Sequence, residues 1–199
     1  AQALAPAVRV WLGHAYLVMG YWIPALMIPT APLVSSGFEA WLARTDEWCG
    51  QHPVAAPNWL LYVFELSYLL CYPLVPAAFT FVWMYGNLAD SDRFWTAVLL
   101  AGFACYGTLP WLVSRPPRLR LPPLRARTSL RATNESVLAR VSHGLNTFPS
   151  GHVAVSVAAA FEMLSISRPA GLVMLIVAAL IAAGAVAGRY HYAVDVASG

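Results

Sequence analysis

Long apolar stretches separated by short polar segments organise this chain. They cover about residues 10–35, 58–84, 94–114, 150–164 and 171–188, and a sixth starts near Tyr190. A helix needs roughly 20 apolar residues to cross a bilayer. The pattern therefore predicts an all-α, polytopic membrane bundle with one domain over residues 1–199. The sixth stretch ends at Gly199 after ten residues, too few to cross, and is expected to be truncated in this chain.

Each stretch has its own punctuation. The first carries Pro24, Pro29 and Pro32, which predict a kink or an early end. The second holds one acidic residue, Glu65, and two prolines, Pro73 and Pro76. The third, 94–114, has no charge. Between the first two, residues 37–57 combine Glu39, Arg44, Asp46 and Glu47 with Phe38, Trp41 and Trp48, the mixture expected of a segment lying at the headgroups. Residues 115–148 are arginine- and proline-rich, with an amphipathic helix expected near 135–141. They are too polar to span, and fit a surface excursion or a re-entrant cap over a site.

Composition agrees with this pattern. Of 199 residues, 59% are hydrophobic and 11% charged, where a soluble domain carries about 25% charged residues. Mean hydropathy is +0.61. All 12 basic residues are arginine, and seven of them fall between Arg115 and Arg140. Such a run can mark a nucleic-acid surface, but it lies between apolar stretches without a recognition motif, so no nucleic-acid partner is expected. Cys49, Cys71 and Cys105 form no C-x-x-C pair and carry no metal or redox signature.

Chemistry concentrates in three places. Pro149-Ser150-Gly151-His152 opens an apolar helix. Proline suits a helix start, glycine allows close approach, and free amides there bind phosphate. His152 would stand beside the bound group as an acid. His191 lies 39 residues on, with Asp195 four residues after it. On a helix that spacing shares one face, so the carboxylate would fix the ring tautomer and free the other nitrogen as a nucleophile. Arg115 and Arg118 form the third element, because guanidinium binds phosphate bidentately. Counting spans puts Arg115, Ser150 and Arg189 on one membrane face.

Together these residues resemble the type 2 phosphatidic acid phosphatase (PAP2) superfamily, whose motifs are K-x6-R-P, P-S-G-H and S-R-x5-H-x3-D. The resemblance runs from about Thr108 to Gly199, and the central motif matches in full. Two positions depart: Thr108 stands at the lysine of the first motif, and Gly184-Ala185 stand at the Ser-Arg of the third. Arg118 and Arg189 are the candidates to replace the missing cations. The stretch from Thr45-Asp46-Glu47 to Tyr72-Pro73 is also similar to the branch containing inositol phosphorylceramide synthases.

The resemblance implies a six-helix membrane enzyme needing neither cofactor nor metal. His191 would attack phosphorus, Asp195 orient it, and His152 protonate the leaving alcohol and then activate water. Arg115, Arg118, Ser150, Gly151 and Arg189 would hold the phosphoryl oxygens. The expected substrate is a phospholipid or isoprenoid phosphate or pyrophosphate. The alternatives are a phosphotransferase that passes a phospho-headgroup to an alcohol such as inositol, and a non-catalytic binder of anionic lipids.

The positive-inside rule would put the arginine-rich loop in the cytoplasm. The resemblance puts the site on the extracytoplasmic face of a cell membrane. The second placement is taken, because arginines neutralised near a site need not obey the insertion rule. Glu65 is an equal candidate for the site or for a helix–helix hydrogen bond. His143 could lie near substrate, though a loop role is expected. His14 is expected to be a buried, hydrogen-bonded histidine and His52 a surface one. Arg120, Arg125, Arg127 and Arg131 are expected to meet lipid phosphates at the surface.

Overall fold

A computed structural model describes residues 4–28, 36–48, 57–121 and 128–199. Its described residues form eleven helices. They are α1 (Leu4–Trp11), α2 (Gly13–Leu26), α3 (Ser36–Trp48), α4 (Asn58–Leu69), α5 (Cys71–Tyr85), α6 (Leu88–Tyr106), α7 (Pro117–Arg120), α8 (Ser129–Val141), α9 (Gly151–Ile166), α10 (Arg168–Ala187) and α11 (Ala193–Ser198). Residues 29–35 of the first apolar stretch, and Cys49, His52, Arg125 and Arg127, lie outside the described residues.

Several boundaries differ from the hydropathy pattern, each for a local reason. The second stretch is two helices, α4 and α5, bent by 56°. Pro73 has no N–H for the carbonyl of Leu69, and its ring crowds that carbonyl, so the ladder breaks there. The third helix starts earlier than the charge-free run. Asn87 and Asp90 form a reciprocal capping box that begins α6 at Leu88 and brings Asp90, Asp92 and Arg93 into its first turns. It ends at Tyr106, well short of Ser114. The arginine-rich region is not one loop, since α8 begins at Ser129 under a Thr128 cap. Residues 188–192 are a turn, so α11 starts at Ala193 and not at Tyr190.

The centre of the bundle is α9, which packs against α10, α6 and α5, while α10 also packs on α4. Small residues make this possible. On α10 the inward side carries Ala178, Ile181 and Ala185, each no more than 1% exposed. The outward side carries Leu172, Val173 and Ile176, each more than half exposed. This helix is long and apolar enough to cross a membrane, and the bent α4–α5 pair would be a second such span. At the end of the bundle where α9 finishes, charges pair off: Arg93 with Glu162 at 2.6 Å and Arg9 with Asp92 at 2.8 Å. The opposite end, where α9 begins, holds the histidines.

Gly184 sets the α4–α10 separation. A β-carbon there would lie 2.4 Å from the backbone oxygen of Phe64. Gly184→Ala must push the helices apart, at a cost of about 1–3 kcal/mol for an overpacked contact. The thermal midpoint in detergent should fall by several degrees, whereas Ala183→Ser on the exposed side of the same helix should leave it unchanged.

Candidate active site

Two turns meet to make the site. Ser150 is the N-cap of α9, so Pro149 lies before the cap and not at the first helical position. The Ser150 amide donates to the carbonyl of Asp195 at 2.9 Å, joining the start of α9 to α11 backbone to backbone. Ser150 is fully buried, and its hydroxyl has no partner among the described residues. The expected free amide at Ser150 is therefore occupied. The amides of Gly151 and His152 have no backbone acceptor among the described residues. The glycine at 151 has a packing reason: a β-carbon would lie 2.2 Å from the ring of Tyr106. Packing against Tyr106 alone thus requires glycine at 151.

The joint brings the two histidines together. His152 Nδ1 lies 3.2 Å from His191 Nε2, and the rings stand at 64°. Tyr68 and Tyr72 flank His152, at 5.7 and 6.2 Å between ring centroids. Asp195 approaches the other side of His191, with Oδ2 3.5 Å from Nδ1. The spacing does not work as expected from the sequence. His191 lies in the turn before α11, so the pair does not share a helix face. Asp195 reaches it as the third residue of α11, where Oδ2 accepts from the Tyr192 amide at 3.0 Å. His191 Nδ1 and Asp195 Oδ1 are buried without partners among the described residues. Each such deficit costs about 1–3 kcal/mol, so a slight carboxylate rotation that pairs them is favoured.

Such a pairing would set the tautomers. With Nδ1–H of His191 directed at Asp195, its Nε2 keeps a lone pair. The contact with His152 then requires His152 Nδ1–H to donate.

The arginines divide differently from the sequence expectation. Arg118 lines the cavity in front of the histidines, and so does Arg140, which the sequence reading passed over. Arg115 and Arg189 do not line it. Arg115 is held by Glu39 through Nε and Nη2, both at 3.1 Å. Arg189 adopts a left-handed backbone with φ of 59°, and its carbonyl accepts from the Arg118 amide at 2.9 Å. Thr108, at the family's lysine position, donates its hydroxyl to the carbonyls of Cys105 and Phe148. It braces the loop before Pro149 and supplies no charge.

Behind the site lies a buried polar network. Glu65 accepts from Arg131 at 3.1 Å, Asn134 at 2.7 Å and the Tyr190 hydroxyl at 2.5 Å. Arg131 also donates to the carbonyl of Gly188 at 2.6 Å and sits 4.9 Å from the Tyr190 ring centroid. Tyr190 stacks on Tyr68 at 3.7 Å, and Tyr68 faces His152. Arg131 is thus a buried structural cation and not a surface contact for lipid. Arg120 also turns inward, with Nη1 donating to the Glu39 carbonyl at 3.2 Å. Glu65 is a helix–helix partner joining α4, α8 and the end of α10.

His143 stacks on Tyr21 at 4.3 Å, and its Nδ1 accepts from the Leu145 amide. Burial pushes its pKa down to about 4, so it is neutral at pH 7. His14 packs among Trp11, Phe79 and Trp95, with Nδ1 3.2 Å from the Trp11 carbonyl. Asp46 on α3 accepts from the Ala193 amide at 2.7 Å. Burial raises its pKa to about 6; the Ala193 hydrogen bond opposes this and the charge of Asp195 adds to it.

The cavity measures about 550 Å³ and is bounded by α2, α4, α5, α6, α8 and α9. Its walls are mainly apolar and aromatic, including Leu17, Tyr21, Trp22, Tyr72, Val75 and Tyr106. Its lining includes three histidines, His14, His152 and His191, and two arginines, Arg118 and Arg140. Fold and site together define an all-helical protein whose paired histidines and arginines face an apolar chamber. A family model, the PAP2 superfamily, matches residues 36–199, and the chain belongs to that superfamily. Its members are generally phosphatases, which sets the chain in the class of phosphoric ester hydrolases. The match does not assign the inositol phosphorylceramide synthase branch. No curated protein and no solved structure matches the chain.

The buried network gives a stability test. Glu65→Leu leaves Arg131 only the half-exposed Glu135, 3.0 Å from its Nε, as an ion partner, and should cost up to about 3–5 kcal/mol in chemical unfolding. The double variant Glu65→Leu/Arg131→Met removes both charges and should recover most of that loss. Equal stability of the single and double variants would show that the two side chains are not coupled.

Proposed function

We propose that the protein is an integral-membrane, metal-independent phosphatase of a lipid phosphomonoester or pyrophosphate, working through a phosphohistidine. The observation that carries this reading is the 3.2 Å approach of His152 and His191 at the head of an apolar cavity containing Arg118 and Arg140. An apolar chamber of about 550 Å³ suits the hydrocarbon part of the substrate. The guanidiniums suit its phosphate. The outward stripe of Leu172, Val173 and Ile176 suits a lipid surround.

In the proposed reaction, His191 Nε2 attacks phosphorus and the bond to the leaving oxygen breaks. His152, protonated as the phosphate anion enters beside it, gives that oxygen its proton and becomes neutral. His152 then takes a proton from water, whose oxygen attacks the phosphohistidine and releases His191 and phosphate. Asp195 holds the His191 tautomer and stabilises its positive charge. Arg118 and Arg140, with the amides of Gly151 and His152, offset the negative charge on the phosphoryl oxygens. The resemblance also gives Arg115, Ser150 and Arg189 this role. With Arg115 held by Glu39 and the Ser150 amide held by Asp195, Arg118 is the better-placed ligand.

Purified protein should release phosphate from lipid phosphates in EDTA. His191→Ala and His152→Ala should each lower kcat/KM by at least ~100-fold, the usual scale of a lost acid–base or nucleophilic group. A metal requirement, or activity surviving loss of His191, rules the mechanism out. For sidedness, Leu119→Cys in a background without native cysteines should react with a membrane-impermeant thiol reagent on intact cells. Labelling only after lysis would place the site on the cytoplasmic face.

A further inference from the structure

Helix α3 joins the two segments that carry the site. Glu39, Leu42 and Asp46 follow the i, i+3, i+7 spacing that puts them on one helix face. Glu39 and Leu42 are buried, and Asp46 is partly so. At one end of this face Glu39 Oε1 accepts from the Arg115 amide at 3.0 Å and from its Nε, while Oε2 accepts from its Nη2. At the other end Asp46 accepts from the amide of Ala193.

Ala193 is the first residue of α11, two positions after His191. The first amides of a helix have no partner within it. Here Asp195 takes the Tyr192 amide from inside α11, and Asp46 takes the Ala193 amide from α3. A third contact closes the circuit: the Tyr192 hydroxyl donates to the Arg115 carbonyl at 3.1 Å. The His191 turn is thereby fixed against α3 and against the arginine segment. Nothing else described on α3 reaches α11 by a side-chain hydrogen bond, so the Ala193 amide would lose its acceptor with Asp46.

We propose that α3 is a positioning clamp for the site, in which Asp46 caps α11 and so sets the angle at which His191 meets His152 and Asp195. Asp46 touches no reacting atom and acts through the backbone of the His191 turn. What it contributes is an acceptor oxygen. A neutral side chain with the same oxygen suffices, and removes repulsion with Asp195, the charge that faces Asp46 from α11; along α3, Glu39 is neutralised by Arg115 and Arg120.

The kinetic arm of the test rests on the phosphatase reading above, which wild type and His191→Ala settle first. Asp46→Ala should then lower kcat by ~10- to 100-fold, the scale of misplacing a catalytic group by about an ångström, with KM within about twofold. Asp46→Asn retains the acceptor and should hold kcat within about threefold. Imidazole ¹⁵N spectra of histidine-labelled protein supply an arm independent of activity. The His191 signals should shift in Asp46→Ala and remain at wild-type positions in Asp46→Asn. If Asp46→Ala does not fold, Asp46→Glu, which displaces the acceptor by a methylene, should show the same fall in kcat and the same spectral shift. Wild-type kcat and spectra in Asp46→Ala or Asp46→Glu overturn the clamp, as does an asparagine variant as impaired as the alanine one. Should wild type prove inactive on every lipid phosphate, the phosphatase reading falls, and the spectra still decide the clamp.

Discussion

The hydrogen bond from the Ser150 amide to the Asp195 carbonyl carries the geometry of the site. It fastens the first residue of the α9 turn to a residue in the first turn of α11. These segments are far apart in sequence, and each bears one histidine. Because the bond is backbone to backbone and buried, breaking it would leave two polar groups without water. That penalty makes the joint rigid. His152 and His191 meet as its consequence, since their own contact between two imidazoles is too weak to order two chain segments. Gly151 fits the same arrangement: with Tyr106 pressed against its α-carbon, α9 can only begin where the joint requires.

Around this joint the molecule buries charge in pairs. Glu65 and Arg131 are both almost inaccessible, and their mutual attraction only roughly offsets the loss of hydration. What the pair supplies is direction. Four hydrogen bonds among groups of α4, α8, the end of α10 and Tyr190 must be satisfied together. That arrangement sets the Tyr190–Tyr68 stack, which in turn forms the wall behind His152. On the other side of the site, Glu39 holds the half-exposed Arg115, and Asp46 accepts from the Ala193 amide. A chain with few charges thus spends several of them on aligning the elements around two histidines.

The sequence made part of this legible. Ser150, His152, His191 and Asp195 stand out because polar residues at the ends of apolar stretches are costly and few. The helical class follows from the same stretches. What remained hidden is long-range. Arg131 and Arg118 look alike in an arginine-rich run. Only the partners of Arg131, across 66 residues at Glu65 and 57 at Gly188, make it structural. Arg140 lies in the stretch expected to form an amphipathic helix, and nothing local shows that it lines the cavity. Asp46 could not be linked to Ala193, 147 residues away. The His191–Asp195 spacing invited a helical reading that the Tyr192 cap overrides, because a carboxylate at the third position of α11 prefers the free amides of its own helix start. Proline and capping residues moved the helix ends for equally local reasons that an apolar count does not register.

In the proposed phosphatase reaction, the contact between the histidines also constrains how a substrate would enter. Reacting atoms need about 3–3.5 Å between them, so a phosphorus atom cannot fit between nitrogens already 3.2 Å apart. One ring must turn aside as the phosphoryl group arrives. His191 is fully enclosed, held by the turn before α11 and close to Asp195. His152 is more exposed, at the first turn of α9, with the cavity before it and only aromatic edges and faces beside it. A rotation of His152 about its side-chain bonds breaks one hydrogen bond and no packing against charge, whereas moving His191 would disturb the joint itself. The histidine that gives way is therefore His152. With the tautomers inferred above, the Nδ1–H of His152 would leave the lone pair of His191 for an oxygen of the phosphate. The nucleophile is then uncovered by the arrival of the group it attacks.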